Sequence, residues 1–460
     1  MWRASQTSER IAVVNPATDQ IIAHVTAGCA ADVERAVAAA RKAFPKWSAT
    51  SLNMRMQLLE LLYAGIKERA EGLATTITSE MGAPVSFSRT AQIGLALRGL
   101  RSTIDAVGAL DDERVGSSLV CRDPVGVVAA ITPWNFPLHQ IIAKIAPAFA
   151  AGCTVVLKPS EITPLDAMQL ACIVHDAGFP AGVFNLVTGG RQTGEALVSH
   201  PDVDMISFTG STRGGRHVAE TAGAGLKRTA LELGGKSANI LLADADLHRA
   251  VPGALQQCFI NSGQVCAALS RLLVPRQLRV EVEQLALDAV RSWTLGNPID
   301  PGAKLGPLAS RAQQAHVWRC IDQAVQQGAR LLTGGSGQPD EFSQGAYVSP
   351  TILCDVTNEI PIAREEVFGP VLAIMEYDDE EQAIRMANDS DYGLSGGIWS
   401  ADPQRAISVA RQLRTGQVVL NGAALDLQMP FGGVKFSGHG RENGRYGIEE
   451  FCNLKAVLGV

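Results

Sequence analysis

The sequence predicts an α/β fold carried by two doubly wound parallel sheets, and three observations predict it. From residue 125 onward, short runs of apolar and β-branched residues alternate with longer stretches that are apolar at helical spacing. The strand candidates are apolar throughout instead of at every second residue, so helices must cover both faces of each sheet. The composition agrees. With 46% hydrophobic and 19% charged residues the chain can bury a large core, while 45 Gly and 22 Pro demand many turns and exclude a coiled coil or helical solenoid. At about 150 residues per domain, a chain of 460 residues suggests two to four domains.

The elements follow in order. Residues 31–44 read as a helix, with Asp32 and Glu34 early and Arg41 and Lys42 late, as the helix dipole favours. Residues 52–78 read as one long or two consecutive helices, ended near Gly82 and Pro84. Strands are expected at 125–132, 154–158, 183–188, 205–209 and 237–242, with helices at 138–150, 164–177, 194–199 and 212–221 between them. A second alternating series occupies 246–260, 269–274, 280–295, 311–327, 371–377, 380–388 and 403–413, and residues 333–345 read as a surface loop. The pair Gly234-Gly235 suits a domain boundary, although a turn inside one domain would read the same.

Several function classes are disfavoured at once. Lys plus Arg is 40 against 46 acidic residues, and no block is strongly basic, which argues against nucleic acid as a partner. The first ten residues hold no apolar segment, so no signal peptide is expected. The longest apolar stretch, 125–151, is broken by Lys144 and by Pro133, Pro137 and Pro147, so no membrane span is expected. Nine cysteines without a CxxC pair suit neither a disulfide framework nor a metal site. Reduced thiols in a cytoplasmic protein are expected instead.

One thiol differs in its context. Cys121, Cys153 and Cys172 lie in apolar runs and read as small buried hydrophobes. Cys266 admits that reading too, but it ends Asn261-Ser262-Gly263-Gln264-Val265-Cys266, a small and polar segment in which a thiolate is reachable. Glu232 lies in the apolar run Leu231-Glu232-Leu233, where a carboxylate is costly unless paired, solvated or protonated. It reads either as half of a salt bridge, for instance to Lys236, or as a general base with a raised pKa. Asn135, in Thr132-Pro133-Trp134-Asn135-Phe136-Pro137, joins a strand to a helix and reads as an N-cap or as an oxyanion donor.

Together these segments resemble the aldehyde dehydrogenase superfamily over nearly the whole chain. The matching stretches are PWNFP (133–137), KPSE (158–161), FTGST (208–212), LELGGK (231–236), GQVC (263–266), EEVFGP (365–370) and PFGGVKFSGHGRE (430–442), in the family's order. The resemblance implies a dinucleotide-binding domain over 1–107 and 127–235, a catalytic domain over 236–430, and a small β oligomerisation element over 108–126 and 431–460. It implies Cys266 as nucleophile, Asn135 and the Cys266 backbone N–H as oxyanion donors, and Glu232 as the base that activates water. Lys144 and Glu442 match positions associated with proton relay, with structural ion pairing as the alternative.

The same resemblance implies NAD rather than NADP as cofactor, and no metal. Its contacts would be Ile131, Thr132, Pro133, Trp134, Lys158, Ser160, Glu161, Gly190, Gly194, Phe208, Gly210, Ser211, Leu233, Gly234, Glu366 and Phe368, with core packing open for Phe368. An aldehyde would be lined by Phe136, His139, Gln140, Ala143, Ile260, Val265, Ala267, Leu425 and Phe431, which suits a medium-sized apolar or aromatic substrate. A homodimer or homotetramer is implied, and no nucleic acid or membrane partner. The strands usual before Asn15-Pro16-Ala17-Thr18 are expected to be missing. The alternatives are a CoA-acylating member, disfavoured because Glu232 is retained, and a non-catalytic descendant.

Overall fold

The computed structural model describes residues 3–460. Five parallel strands form one sheet in the order Arg228–Glu232, Met205–Thr209, Val127–Ile131, Thr154–Lys158 and Phe184–Leu186. The chain runs outward from Val127–Ile131 in one direction and then returns to its other side. That reversal creates a switch point at the carboxyl ends of the central strands, where doubly wound sheets bind ligands. The ends in question are Ile131, Lys158, Thr209 and Glu232. The central strands Val127–Ile131 and Thr154–Lys158 are buried throughout, under helices that include Ala30–Ser48 and Pro137–Ala151.

The second sheet has seven strands, in the order Arg330–Thr333, Thr351–Cys354, Val371–Tyr377, Arg271–Pro275, Ala238–Leu241, Ser395–Trp399 and Gln417–Leu420. Only its first pair is antiparallel. Four of these strands, Arg330–Thr333, Thr351–Cys354, Ser395–Trp399 and Gln417–Leu420, have no counterpart among the predicted ones. Thr351–Cys354 and Gln417–Leu420 have only four residues each, and Gly396 and Gly397 deprive Ser395–Trp399 of side chains. Pairing with Ala238–Leu241 makes the latter a strand despite its composition. The third sheet pairs Cys452–Leu458 antiparallel with Ser118–Pro124, which pairs with Glu113–Val115.

Some local expectations change. The 52–78 segment is two helices, Leu52–Glu68 and Ala70–Met81, separated at Arg69. The first helix runs from Ala30 to Ser48, through Pro45, instead of ending at Phe44. A strand, Arg10–Asn15, does precede the Asn15–Thr18 turn and pairs with Gln20–Thr26. Within 431–460, only Cys452–Leu458 lies in the small sheet, whereas Gly438–His439 pairs with Leu231 and Glu232 at the edge of the first sheet. All nine cysteines are free, but Cys172 is exposed and Cys121 half-buried, so only Cys153 of that trio is a buried hydrophobe. Among the described residues, no helix is long and apolar enough to cross a membrane.

Candidate active site

The Cys266 loop is built from a strained turn. After the helix Leu247–Phe259, Asn261, Ser262 and Gly263 all take left-handed conformations, with φ of 56°, 55° and 72°. Such backbone is unfavourable for Asn and Ser and must be held by its surroundings. Ser262 Oγ donates to the Gly306 carbonyl at 2.9 Å, and Gln264 Nε2 donates to the Asn261 carbonyl at 3.1 Å. Gly263 lies so close to Gly369 that a Cβ there would sit 2.1 Å from the Gly369 carbonyl carbon. Position 263 therefore has room for nothing larger than glycine.

Asn135 comes from the turn after Val127–Ile131, ahead of the helix Pro137–Ala151. The cap position is Phe136, so the N-cap reading of Asn135 fails. The Asn135 side chain instead crosses to the cysteine loop, where Nδ2 donates to the Gln264 carbonyl at 3.0 Å. An amide nitrogen has two protons, and among the described residues no second protein acceptor takes the other.

Glu232 is buried, with 3% of its surface exposed, and neither carboxylate oxygen has a hydrogen-bond partner. The salt-bridge reading with Lys236 fails, because that lysine is buried in a separate cavity beside Ser237, Arg271 and Tyr392. Burial, with the nearby Glu442 carboxylate, pushes the Glu232 carboxyl well above the usual range, against the pull of Lys144 and Arg441. Lys144 and Glu442 form a buried ion pair at 2.7 Å. Burial also pushes the Cys266 thiol up to about 12, helped by Glu366, Glu232 and Glu442. Burial first, and those carboxylates second, keep the proton on Cys266, so a base must remove it.

The residues carried over for the cofactor lie along the switch point and across the cleft. Lys158 Nζ donates to the carbonyls of Pro159 (2.8 Å) and Gly189 (2.7 Å) and stands 3.5 Å from Glu161 Oε2. Glu161 is exposed and does not cap the helix Leu165–Asp176, whose cap position is Pro164. Ser160 Oγ accepts from Ile162 N at 3.2 Å and supports that turn. Gly190 and Ser211 are the caps of two helices, Gly194 packs near the Lys158 stem, and Phe208 packs near Gly210 and Gly214. Leu233 packs near Gly215, and the Gly234 carbonyl accepts from Ser437 Oγ. From the second sheet side, Glu366 Oε1 accepts from Gly235 N at 3.2 Å, and burial lifts its carboxyl to about 7. Trp134 and Phe368 meet edge to face at 5.3 Å. The core reading of Phe368 is thus incomplete, since this contact joins the two halves of the cleft.

The substrate-lining candidates are less uniform. Phe136 packs against Phe87 at 6.2 Å, and Gln140 and Ala143 are buried on the same helix. His139 is half-buried, and loss of solvent around its ring holds its pKa below the usual value. Ile260, Val265 and Ala267 are half-buried around the nucleophile loop. Phe431 is tied backbone to backbone with Glu442, by hydrogen bonds of 2.9 and 2.7 Å. Leu425, with 47% of its surface exposed, stands at the outside.

A model of the Aldehyde dehydrogenase family matches residues 2–457. The chain belongs to the aldehyde dehydrogenase family. Among its relatives, a 3-succinoylsemialdehyde-pyridine dehydrogenase from a Pseudomonas species is 49% identical over 466 aligned residues, spanning all of this chain and 97% of that protein. A cysteine-to-alanine mutant of aldehyde dehydrogenase C from Pseudomonas syringae, solved with NAD+ and octanal, superposes with a TM-score of 0.99. It is 47% identical, with 100% of this chain and 95% of that one covered. An aldehyde dehydrogenase from Mycobacterium tuberculosis, solved with NAD+, has a TM-score of 0.97 at 42% identity, covering 100% and 96%. This family member therefore has the aldehyde dehydrogenase fold.

One constraint on the site was invisible in the sequence. At Gly432, φ is 155° and an added Cβ would lie 2.7 Å from Glu232 Oε1 and 2.6 Å from the Gly440 carbonyl. Gly432 belongs to a quoted motif, but nothing in the motif says that it touches Glu232. Gly432→Ala should displace the carboxylate and lower kcat at least tenfold. Wild-type kcat in that variant would show that the backbone can give way there.

Proposed function

We propose that the protein oxidises an aldehyde to a carboxylic acid with NAD, by covalent catalysis at Cys266. The observation that carries the reading is the buried Glu232 carboxyl, without partners and with a raised pKa, close enough to influence the Cys266 thiol. Such a group is a poor structural element, and its raised pKa makes its carboxylate a stronger proton acceptor than an ordinary one. Cys266 adds to the aldehyde carbon to give a thiohemiacetal, its thiol proton leaving to a base. The oxyanion receives the unused Asn135 N–H and the Cys266 backbone N–H. NAD, when bound, supplies the hydride acceptor that turns the adduct into a thioester. Glu232 then takes a proton from the water that attacks the thioester carbon, and the thiol is released with the acid. The Lys144–Glu442 pair sets the charge around that base.

The chain's own groups suit a dinucleotide. Thr132 Oγ1 is buried without a partner at the switch point, and the Glu366 carboxylate, with one backbone donor, can accept from ribose hydroxyls. We assign the first sheet to dinucleotide binding and the second to catalysis, and place the protein in a reducing cytoplasm, as nine free thiols suit. The strand Cys452–Leu458 ends the small sheet, with Leu454 and Leu458 exposed. An edge of that kind favours pairing with a second copy, as a homodimer or homotetramer. A relative solved in complex with octanal and another named as a 3-succinoylsemialdehyde-pyridine dehydrogenase support a medium-sized apolar or aromatic substrate. An NADH-release screen over aliphatic, aromatic and ω-carboxy aldehydes tests the reading; no release from any of them would overturn it. Turnover that depends on added CoA would favour the acylating reaction.

Coenzyme choice rests on Glu161. An NADP 2′-phosphate would share space with its carboxylate, and at ~4 Å with an effective dielectric near 20 the repulsion is on the order of 4 kcal/mol per unit charge. Screening and the 3.5 Å pairing with Lys158 reduce this. The expected preference for NAD is roughly 1.5–3 kcal/mol, or 10- to 150-fold in kcat/KM. Glu161→Ser should narrow that ratio, and an unchanged ratio would remove Glu161 from the role.

A further inference from the structure

The catalytic groups account for Asn135 but not for what aims it. We propose that Gln92 is a positioning residue for this reaction, clamping the Asn135 peptide and the Asn261 side chain so that the Asn135 amide faces the Cys266 loop. The inference rests on the roles given above to Asn135 and Cys266.

Gln92 closes a five-residue π-helical turn, Ser88–Gln92, between the short helix Val85–Phe87 and the helix Ile93–Asp105. A π-turn inserts one residue into a helix and redirects the side chains around it, and such turns are frequent at functional sites. Gln92 is fully buried, and its Nε2 lies 3.0 Å from the Asn135 carbonyl and 3.4 Å from Asn261 Oδ1. Both are acceptors in this arrangement. A backbone carbonyl cannot donate, so the nitrogen of Gln92 must face it, which settles the orientation of the amide.

The Asn135 carbonyl also receives Asn261 Nδ2 at 3.0 Å, so both of its lone pairs are engaged. Asn261 Nδ2 reaches the Gln264 carbonyl at 3.3 Å, the same oxygen that receives Asn135 Nδ2 at 3.0 Å. Gln264 Oε1 in turn accepts from Ala309 N at 2.8 Å. Four buried amides thus connect the turn before Pro137 with the left-handed turn before Cys266. Gln92 is the member that reaches them from outside both segments. Its Oε1 is buried without a partner, a penalty that an apolar side chain would avoid. The side chain is therefore explained by its donors and not by packing.

The test is a double-mutant cycle on Gln92→Met and Asn135→Ala, read as kcat at saturating NAD and aldehyde, with KM for NAD and thermal midpoints alongside. Asn135→Ala should lose about 100-fold or more. Gln92→Met should lose about tenfold or more with KM for NAD unchanged within twofold, and should cost nothing further in the Asn135→Ala background. A merely structural role would slow both backgrounds by the same factor, and that result would overturn the proposal. So would a Gln92→Met enzyme within twofold of wild type while Asn135→Ala is slow. If Asn135→Ala itself runs at the wild-type rate, the oxyanion reading fails first, whatever Gln92 does. Should Gln92→Met not fold, Gln92→Asn keeps an amide but falls one methylene short, and the same cycle applies to it with the same outcomes.

Discussion

Cys266→Ala should abolish aldehyde oxidation, lowering turnover by several orders of magnitude while NAD still binds. The loss is expected to be this large because without the thiol there is no covalent adduct from which a thioester can form. Binding should survive because the half-buried Cys266 side chain is not among the residues that line the switch point or support the turn at Lys158. Steady-state NADH release and fluorescence titration with NAD check the two halves separately. A variant retaining more than about a tenth of wild-type rate, ~1.4 kcal/mol of barrier, would remove Cys266 from the reaction. The wild-type thiol is held up to about 12 by burial and by Glu366, Glu232 and Glu442, so its activation should require a base and should strengthen as pH rises.

Glu232→Gln should separate the two chemical stages. The variant keeps size and shape but cannot accept the water proton, so it should release NADH in a burst near one equivalent per site and then turn over slowly. A slow or missing burst would mean that Glu232 acts chiefly on the thiol. The pH dependence has a definite sign. With the Glu232 pKa raised in the folded protein, the basic form appears only as pH climbs through that raised value, so wild-type kcat should rise along that limb. The limb should be absent in Glu232→Gln. Stability should move the other way. The folded state holds this proton more tightly than the unfolded chain does, so wild-type stability falls with rising pH above the unfolded carboxyl's range. Above that range Glu232→Gln should melt no lower than wild type. A clear drop in melting temperature with turnover intact would restore the structural reading of the carboxylate.

Much of this molecule can be read locally. Apolar runs such as Thr154–Lys158 and Met205–Thr209 coincide with their predicted strands because their composition and length leave no other element open. The fold class follows from the alternation of such runs with helices, and the family from motifs whose order is a property of the chain alone. Ser395–Trp399, by contrast, is a strand through its neighbours, because two glycines give it little preference of its own. The same division runs through the site. Cys266, Asn135 and Glu232 stand out by residue type and context, since a polar or nucleophilic group in an unusual setting is visible in one dimension. What each of them touches is not visible there. Glu232 without partners beside Gly432, Lys144 bound to Glu442, and the Gln92–Asn261 clamp on Asn135 all join segments far apart in sequence. Chemistry-bearing residues are encoded where they stand, whereas their charge state and aim depend on burial and on partners that only the folded chain brings within a few ångströms.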